Sequence, residues 1–385
     1  MISYGKQDID QADIEAVIEV LKSDFLTQGP AIGQFEKKVA EYCGAKYAVA
    51  LTNATSALHI ACLAAGLSKG DILWTSPNTF VASANCGRYC GADVDFVDID
   101  NYTYNMSVAK LAEKLENSEI RPKIVVPVHF AGQSCEMGKI HKLSKKYNFI
   151  IIEDASHAIG SDYKDRKVGS CTYSDMTVFS FHPVKIITTA EGGMVLTNNK
   201  DLYDKLILFR SHGITRNEKL MKNKSDGPWY YEQIDLGFNY RMTDMQAALG
   251  NSQMDRLDEF VNRRRYLANR YNELLADLPV KLPYQQSDSN SSWHVYVIRL
   301  NLDQVKIDKQ TIFTEIRKLG INLNLHYIPV HTQPYYQQLG FKKGDFPVSE
   351  EYYKEVLTLP LYFDLTNEQQ DCIVDSLREV LNNAK

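Results

Sequence analysis

Short apolar runs recur between positions 47 and 198, and they constrain the fold more than any other feature of the sequence. Seven such runs are present, and stretches of helical character separate many of them: YAVALTN, DILWTSP, VDFVDI, IVVPVHF, FIIIED, TVFSF and GMVLTN. Runs that are apolar on both faces suit strands that helices cover on both sides of a sheet. The sequence therefore predicts an α/β fold with a mainly parallel sheet flanked by helices.

The length of the chain, 385 residues, exceeds that of a usual single hydrophobic core and predicts two domains. A helical stretch from Met242 to Leu278 contains few glycines or prolines and is expected to end the large domain. The later segments SWHVYVIRL and INLNLHY are strand-like, whereas DKQTIFTEIRKLG and the end of the chain are helix-like. We predict a large domain over residues 1–248, followed by a connecting helix and a small α+β domain over residues 249–385.

The N-terminal segment predicts an acidic surface helix with one apolar stripe. Ile14, Val17, Ile18 and Leu21 occur at helical spacing within it. We expect the apolar side chains of this stripe to pack against a larger structural unit.

Composition excludes several classes of function. A net charge of -5 offers no basic surface for nucleic acid, and no segment approaches the length of a membrane span. The N-terminus lacks the basic run and apolar core of a signal peptide, which predicts a cytoplasmic protein. The seven cysteines are odd in number and scattered, so we expect neither a disulfide framework nor a metal site. Motifs for a P-loop, a Rossmann fingerprint, a zincin and a serine hydrolase are missing.

Two polar runs carry the strongest chemical signal, EDASHAIG (153–160) and SFHPVKIITTAEGG (180–193). Asp154 ends an apolar strand, and Lys185 lies in a later loop with apolar neighbours, which would disfavour its charged form. A carboxylate that keeps a pyridinium nitrogen protonated and a lysine that forms a Schiff base are the two groups that pyridoxal phosphate chemistry needs. By spacing alone, both residues could equally be solvated surface charges.

Seven motifs in order resemble the DegT/DnrJ/EryC1/StrS family of sugar aminotransferases, and the resemblance covers nearly the whole chain. They are LTQGP, NATSALHIA, SPNTFVASAN, EDASHAIGS, FSFHPVKIITTAEGG, FRSHGI and GFNYRMTDMQAALG. The resemblance implies an aspartate aminotransferase-like fold, pyridoxal phosphate fold type I. Within the family, the sequences of these motifs are most similar to those of transaminases of pseudaminic acid biosynthesis.

The resemblance implies roles around the cofactor ring. Lys185 would carry pyridoxal 5'-phosphate, Asp154 would face its pyridine nitrogen, and His157 would lie near its phenolic oxygen. Phe80 would stack on the ring. From the residues alone, His157 would more often be a core histidine and Phe80 more often a core aromatic.

A phosphate site is expected at the start of the helix after the first strand, where free backbone N–H groups gather. By resemblance, Ala54, Thr55 and Ser56 would hold the cofactor phosphate together with Ser180. Thr55 and Ser56 could also be ordinary N-caps. Asn239 would reach the phosphate of the neighbouring subunit, which implies a homodimer with shared active sites; alternatively it is a turn residue.

Six further residues are candidate contacts of a nucleotide-linked sugar. Aromatic rings and imidazoles suit a nucleotide base and sugar hydroxyls, but the same side chains could simply pack at a domain interface. A basic residue could meet the diphosphate or simply be solvated. The candidates are Tyr4, Gln28, Arg166, His326, Tyr327 and His331.

The reaction implied is transfer of an amino group from glutamate to C4 of a 4-keto-6-deoxy sugar, UDP-linked in the pseudaminic acid pathway, with pyridoxamine phosphate between the half-reactions. GDP- or dTDP-linked sugars remain alternatives. So do an aminotransferase of small amines and a regulatory protein that binds pyridoxal phosphate without turnover. Lys185 argues against relatives in which histidine replaces the lysine and the sugar is dehydrated or deoxygenated.

Overall fold

The computed structural model describes residues 1–382 and builds the large domain around a seven-stranded sheet of order β1-β9-β8-β5-β4-β2-β3. Each of the seven predicted runs forms one of its strands. Four of the six strand pairs are parallel, and β9 is antiparallel to both neighbours. The prediction of a mainly parallel sheet is therefore confirmed. The strands are β1 (Tyr47–Leu51), β2 (Ile72–Thr75), β3 (Asp93–Phe96), β4 (Ile124–Val126), β5 (Ile150–Asp154), β6 (Asp162–Tyr163), β7 (Arg166–Lys167), β8 (Met176–Ser180), β9 (Gly193–Thr197), β10 (Ile214–Thr215), β11 (Glu232–Gln233), β12 (Val280–Lys281), β13 (Ser289–Asn290), β14 (Tyr296–Leu300) and β15 (Val356–Leu359).

Helices cover both faces of this sheet, as its apolar strands require. One buried cluster joins the sheet to α3, α4 and α7, and two others join it to α2 and α8 and to α5 and α6. No helix among residues 1–382 is both long and apolar enough to cross a membrane. The helices are α1 (Gln11–Leu21), α2 (Pro30–Cys43), α3 (Ala54–Ala64), α4 (Ala82–Tyr89), α5 (Val108–Asn117), α6 (Met137–Tyr147), α7 (Lys200–Arg210), α8 (Asp244–Asp255), α9 (Leu257–Leu274), α10 (Lys309–Lys318), α11 (Pro334–Gln337), α12 (Pro347–Glu355) and α13 (Asn367–Asn382).

The C-terminal part has a core of its own. The three-stranded antiparallel sheet β12-β14-β15 packs with α9, α10 and α13, and the buried residues of this cluster lie between positions 267 and 381. The boundary predicted between residues 248 and 249 falls within α8 and stays a prediction. The expected strand INLNLHY forms only isolated bridges, at Ile321 and Asn324.

The long helix predicted from Met242 is broken into α8 and α9 at Arg256. The guanidinium of Arg256 lies 2.5 Å from Asp8 Oδ1 and 2.8 Å from Asp13 Oδ2, on the N-terminal segment. These carboxylates pair with a residue that leaves helical geometry, at φ -105° and ψ 4°. The distant partners could not be inferred from the helical pattern.

Helix α1 forms as predicted, but three of the four residues of its apolar stripe stay exposed and only Val17 is half-buried. Ile14, Ile18 and Leu21 are 44%, 37% and 55% exposed. The helix instead buries Asp13, whose Oδ2 accepts a hydrogen bond from Gln253 Nε2 at 2.6 Å. Ala16 and Val20 pack against the core on the same helix, so this polar contact and these two side chains set which side of α1 faces the domain.

A buried polar pair fixes the strand that leads into the candidate site. Glu153, next to Asp154 on β5, lies 2.5 Å from His129 Nε2, and both side chains are almost fully buried. The backbone N–H of Cys135 donates to His129 Nδ1 at 3.1 Å, so Nε2 carries the proton and donates to Glu153. Thr177 also donates to this carboxylate, at 3.0 Å.

Replacing Glu153 with alanine is expected to lower the free energy of unfolding by about 3–5 kcal/mol, because it leaves buried donors without an acceptor. Urea denaturation measures this change. Glu113→Ala is the matched control, since Glu113 forms an exposed pair with Lys110, and we expect a change of less than about 1 kcal/mol. Equal effects of the two substitutions would contradict this account of the pair.

Candidate active site

A cavity of about 540 Å³ opens at the edge of the sheet where β5 and β8 end. Ligands of open α/β sheets bind at the carboxyl ends of strands, and the volume is in the usual range for a small-molecule site. Many of the predicted site residues meet there. Those that line the cavity are Tyr4, Ala54, Thr55, Phe80, Asp154, His157, Ser180, Lys185, His326 and Tyr327.

Lys185 lies in the loop between β8 and β9, and its amine belongs to the cavity wall. Burial lowers the pKa of Lys185 to about 8, while the negative charge of Asp154 acts in the opposite direction. Its Nζ lies 3.4 Å from His294 Nε2. A large fraction of such an amine is neutral near pH 8 and available as a nucleophile.

Asp154 is the last residue of β5 and is 5% exposed. Its Oδ2 accepts a hydrogen bond from Ser83 Oγ at 2.6 Å, and its Oδ1 accepts from the backbone and hydroxyl of Ser156 at 3.1 and 2.6 Å. Thr79 Oγ1 lies 2.7 Å from the same Ser83 hydroxyl. These contacts orient the carboxylate before any ligand arrives.

His157 and Tyr327 form one hydrogen-bonded unit on the cavity wall. The backbone N–H of Ala131 donates to His157 Nδ1 at 3.3 Å, so the ring proton resides on Nε2, which lies 3.0 Å from Tyr327 Oη. Burial, with the nearby charge of Lys185, lowers the pKa of His157 well below its ordinary value. Burial likewise raises the pKa of the Tyr327 phenol. Both groups are therefore neutral at physiological pH.

The start of α3 lines the same cavity as Lys185. Asn53 caps this helix, and its Oδ1 accepts the N–H of Ser56 at 2.8 Å. Ala54 and Thr55 line the cavity, and the free N–H groups of the first turn with the helix dipole favour an anion. A Cβ at Gly193, on β9, would come within 2.4 Å of the Asn53 carbonyl carbon, so a glycine is needed behind this turn.

Five predicted site residues lie away from the cavity of this subunit. Ser56 is buried, and its hydroxyl donates to Asn53 O at 2.7 Å. His331 is buried, with its Nε2 3.0 Å from Glu350 and its ring packed against Phe96 and Phe346. Arg166 is exposed on the β6–β7 hairpin, and Gln28 and Asn239 are also exposed.

Several cavity residues were not singled out from the sequence. His294, Thr79 and Glu191 all line it. Thr79 could have been found, because it directly precedes the predicted Phe80 in a strand-end loop. His294 carried no such signal, since it lies in an apolar run 109 residues beyond Lys185.

These residues fit pyridoxal phosphate. The Lys185 amine suits an aldehyde, the Asp154 carboxylate suits a protonated ring nitrogen, and the α3 N-terminus suits a phosphate. Phe80 is 59% exposed on the cavity wall, where a flat ring could lie against it. No cluster of three or more His, Cys, Asp or Glu among residues 1–382 could hold a metal ion.

The fold and the site define a pyridoxal phosphate-dependent aminotransferase of fold type I. The chain belongs to the DegT/DnrJ/EryC1/StrS aminotransferase family, which matches residues 7–378. It is therefore an enzyme, a sugar aminotransferase, as the motifs in the sequence predict.

Named relatives act on nucleotide sugars with different bases. The chain is 37% identical over 393 residues to the UDP-4-amino-4,6-dideoxy-N-acetyl-beta-L-altrosamine transaminase of Campylobacter jejuni, covering 100% of this chain and 99% of that protein. It is 35% identical over 383 residues to the GDP-perosamine synthase of Caulobacter vibrioides, covering 99% and 98%.

Solved structures of sugar aminotransferases are also similar to this chain. PseC of Helicobacter pylori, an aminotransferase involved in the biosynthesis of pseudoaminic acid, superimposes with a TM-score of 0.90 at 33% identity and 99% coverage of both chains. The putative sugar aminotransferase Spr1654 of Streptococcus pneumoniae, in its PMP form, superimposes with a TM-score of 0.91 at 28% identity and full coverage of both chains.

Proposed function

We propose that this enzyme transfers an amino group from glutamate to C4 of a UDP-linked 4-keto-6-deoxy sugar in pseudaminic acid biosynthesis, and that it acts in the cytoplasm as a homodimer. The observation that carries the chemistry is the Lys185 amine, with its pKa of about 8, in one cavity with Asp154 and the start of α3. These groups serve both half-reactions of an amino transfer.

The choice of a UDP-linked sugar rests on relatives rather than on the cavity. The Campylobacter enzyme is named for a UDP sugar, and the Helicobacter structure for the pseudoaminic acid pathway. The Caulobacter relative, named for GDP-perosamine, is nearly as similar and supports a GDP-linked sugar as the second candidate.

Pyridoxal phosphate, when bound, supplies a carbonyl that takes up amines and a conjugated ring that stabilises negative charge. Lys185 would hold it covalently, and its released Nζ would then carry a proton between the donor α-carbon and C4' of the cofactor. Asp154, held by Ser83 and Ser156, would keep the pyridine nitrogen protonated.

The remaining cofactor contacts follow from position. Ala54 and Thr55 with Ser180 would bind the phosphate, and Ser56 would support this turn through its hydrogen bond to Asn53. Phe80 would cover the ring face and exclude water. Tyr4, His326 and Tyr327 line the same cavity and would meet the sugar.

A second copy of the chain would complete the site. Asn239 is exposed and outside the cavity of its own subunit, which agrees with a role at the partner's phosphate. The uncovered stripe of α1 continues into Phe25 and Leu26, which are 54% and 45% exposed. An apolar surface of this kind suits a subunit interface.

The test uses glutamate labelled with ¹⁵N in its amino group and a panel of UDP-, GDP- and dTDP-linked 4-keto-6-deoxy sugars. The product is followed by mass spectrometry. We expect the label in a UDP-linked amino sugar, with kcat/KM at least about 10-fold above the other nucleotides. A preference for the GDP-linked sugar would contradict the UDP assignment. Loss of the glutamate amino group with no transfer to any sugar would contradict a keto-sugar acceptor.

A further inference from the structure

His294 is a buried titratable residue of the cavity wall that the chemistry described so far does not use. It is 3% exposed and lies just before β14 of the small domain. Its backbone N–H donates to Ala131 O at 2.9 Å, and its carbonyl accepts from Arg264 Nη1 at 3.1 Å. The ring is thus held from the small domain against the loop that carries Lys185.

The contact between His294 and Lys185 is specific to this one histidine. His294 Nε2 is 3.4 Å from Lys185 Nζ, whereas both ring nitrogens of His157 are occupied by Ala131 and Tyr327. The Nδ1 of His326 lies 2.9 Å from Thr358 Oγ1. Of the four histidines that line the cavity, the fourth being His182, only His294 is within hydrogen-bond distance of the Lys185 amine.

The charge state of His294 is fixed by its surroundings. Burial, followed by the charges of Lys185 and neighbouring groups, lowers the pKa of His294 well below its ordinary value. The neutral ring can accept an N–H from Lys185 at Nε2 while its proton resides on Nδ1. Among the described residues, Nδ1 has no hydrogen-bond partner. A buried polar atom without a partner calls for an explanation, and a role in catalysis is one such explanation.

We propose that His294 is a positioning residue that accepts a hydrogen bond from the Lys185 amine whenever that amine is free. The proposal rests on the proposed function, in which Lys185 carries the transferred proton. Accepting one N–H orients the amine and leaves its lone pair free to take the proton from the donor α-carbon. Without this acceptor, the flexible lysine side chain would sample other orientations, and proton transfer would slow.

The first experiment measures this contact in the cofactor-free protein, independently of turnover. The pH dependence of Lys185 acetylation by acetic anhydride is followed by peptide mass spectrometry. The titratable groups that line the cavity with this amine are Tyr4, Asp154, His157, His182, Glu191, His294, His326 and Tyr327. A neutral acceptor favours the ammonium form, so we expect the midpoint in His294→Leu to fall by about one pH unit. His294→Gln should keep the wild-type midpoint of Lys185 acetylation, because its amide oxygen can occupy the place of Nε2.

The second experiment tests the consequence for proton transfer. With glutamate deuterated at its α-carbon, His294→Leu should show a slower half-reaction by about 10- to 100-fold and a larger isotope effect, with KM for glutamate nearly unchanged. His294→Gln should restore most of the rate. If the leucine variant does not fold, His294→Asn is used in its place, because this substitution also removes the contact made by Nε2. His141→Leu, at a histidine outside the cavity, is the control and should match the wild type in both experiments.

Two results would overturn the proposal. One is the same acetylation midpoint in wild type, His294→Leu and His294→Gln. The other is a rate loss in the glutamine variant as large as in the leucine variant. If the wild type itself fails to react with glutamate, the proposed function fails, but the acetylation midpoints still decide whether His294 holds Lys185.

Discussion

Lys185→Ala is expected to lower the rate of amino transfer by at least about 10⁴-fold, because one side chain serves as covalent anchor and as proton carrier. The amine cannot be replaced from nearby, since Lys185 is the only lysine or arginine among the residues that line this cavity. Steady-state transfer from glutamate to the keto sugar measures the loss. The protein should keep its fold, as judged by circular dichroism.

Lys37→Ala is the matched control for this substitution. Lys37 is exposed on α2 and pairs with the exposed Glu41, so its loss should leave the rate within about twofold. Activity of Lys185→Ala above about 1% of wild type would contradict the assigned role.

Asp154→Asn is expected to lower the transfer rate by about 10³-fold while preserving the shape of the site. An amide cannot stabilise a protonated pyridine nitrogen as a carboxylate does, and without that proton the ring stabilises negative charge poorly. The substitution also removes a charge that raises the pKa of Lys185, so the amine should lose its proton at a pH below 8. Kinetics and Lys185 acetylation in the cofactor-free protein measure the two effects.

Asp258→Asn provides the comparison, because Asp258 is an exposed carboxylate on α9 that accepts a hydrogen bond from Tyr42. It should change neither the rate nor the Lys185 midpoint. An Asp154→Asn enzyme with near wild-type turnover would show that this carboxylate does not act on the cofactor ring.

The strands of the sheet could be predicted because each is determined by a local pattern of apolar residues. Each of the seven apolar runs became one strand, and the polar residues that follow them, such as Asp154 and Ser180, meet at the strand ends. The parallel arrangement explains this, since carboxyl ends of parallel strands share one edge of the sheet. The order of the strands, with β9 antiparallel between β1 and β8, was not predicted.

The errors share a different cause, which is contact between segments far apart in the chain. The break at Arg256 follows from pairing with Asp8 and Asp13, and the uncovered stripe of α1 follows from burial of the same Asp13. His294 meets Lys185 only because the small domain docks on the large one. A helical or alternating pattern contains no information on such partners.

The most direct test of the central claim is the visible absorption spectrum of the purified protein reconstituted with pyridoxal phosphate, recorded with and without glutamate beside Lys185→Ala. We predict a band that requires Lys185 for its covalent link to the cofactor and that disappears when glutamate supplies its amino group. A spectrum that is identical in the wild type and in Lys185→Ala, and that glutamate leaves unchanged, would contradict the account.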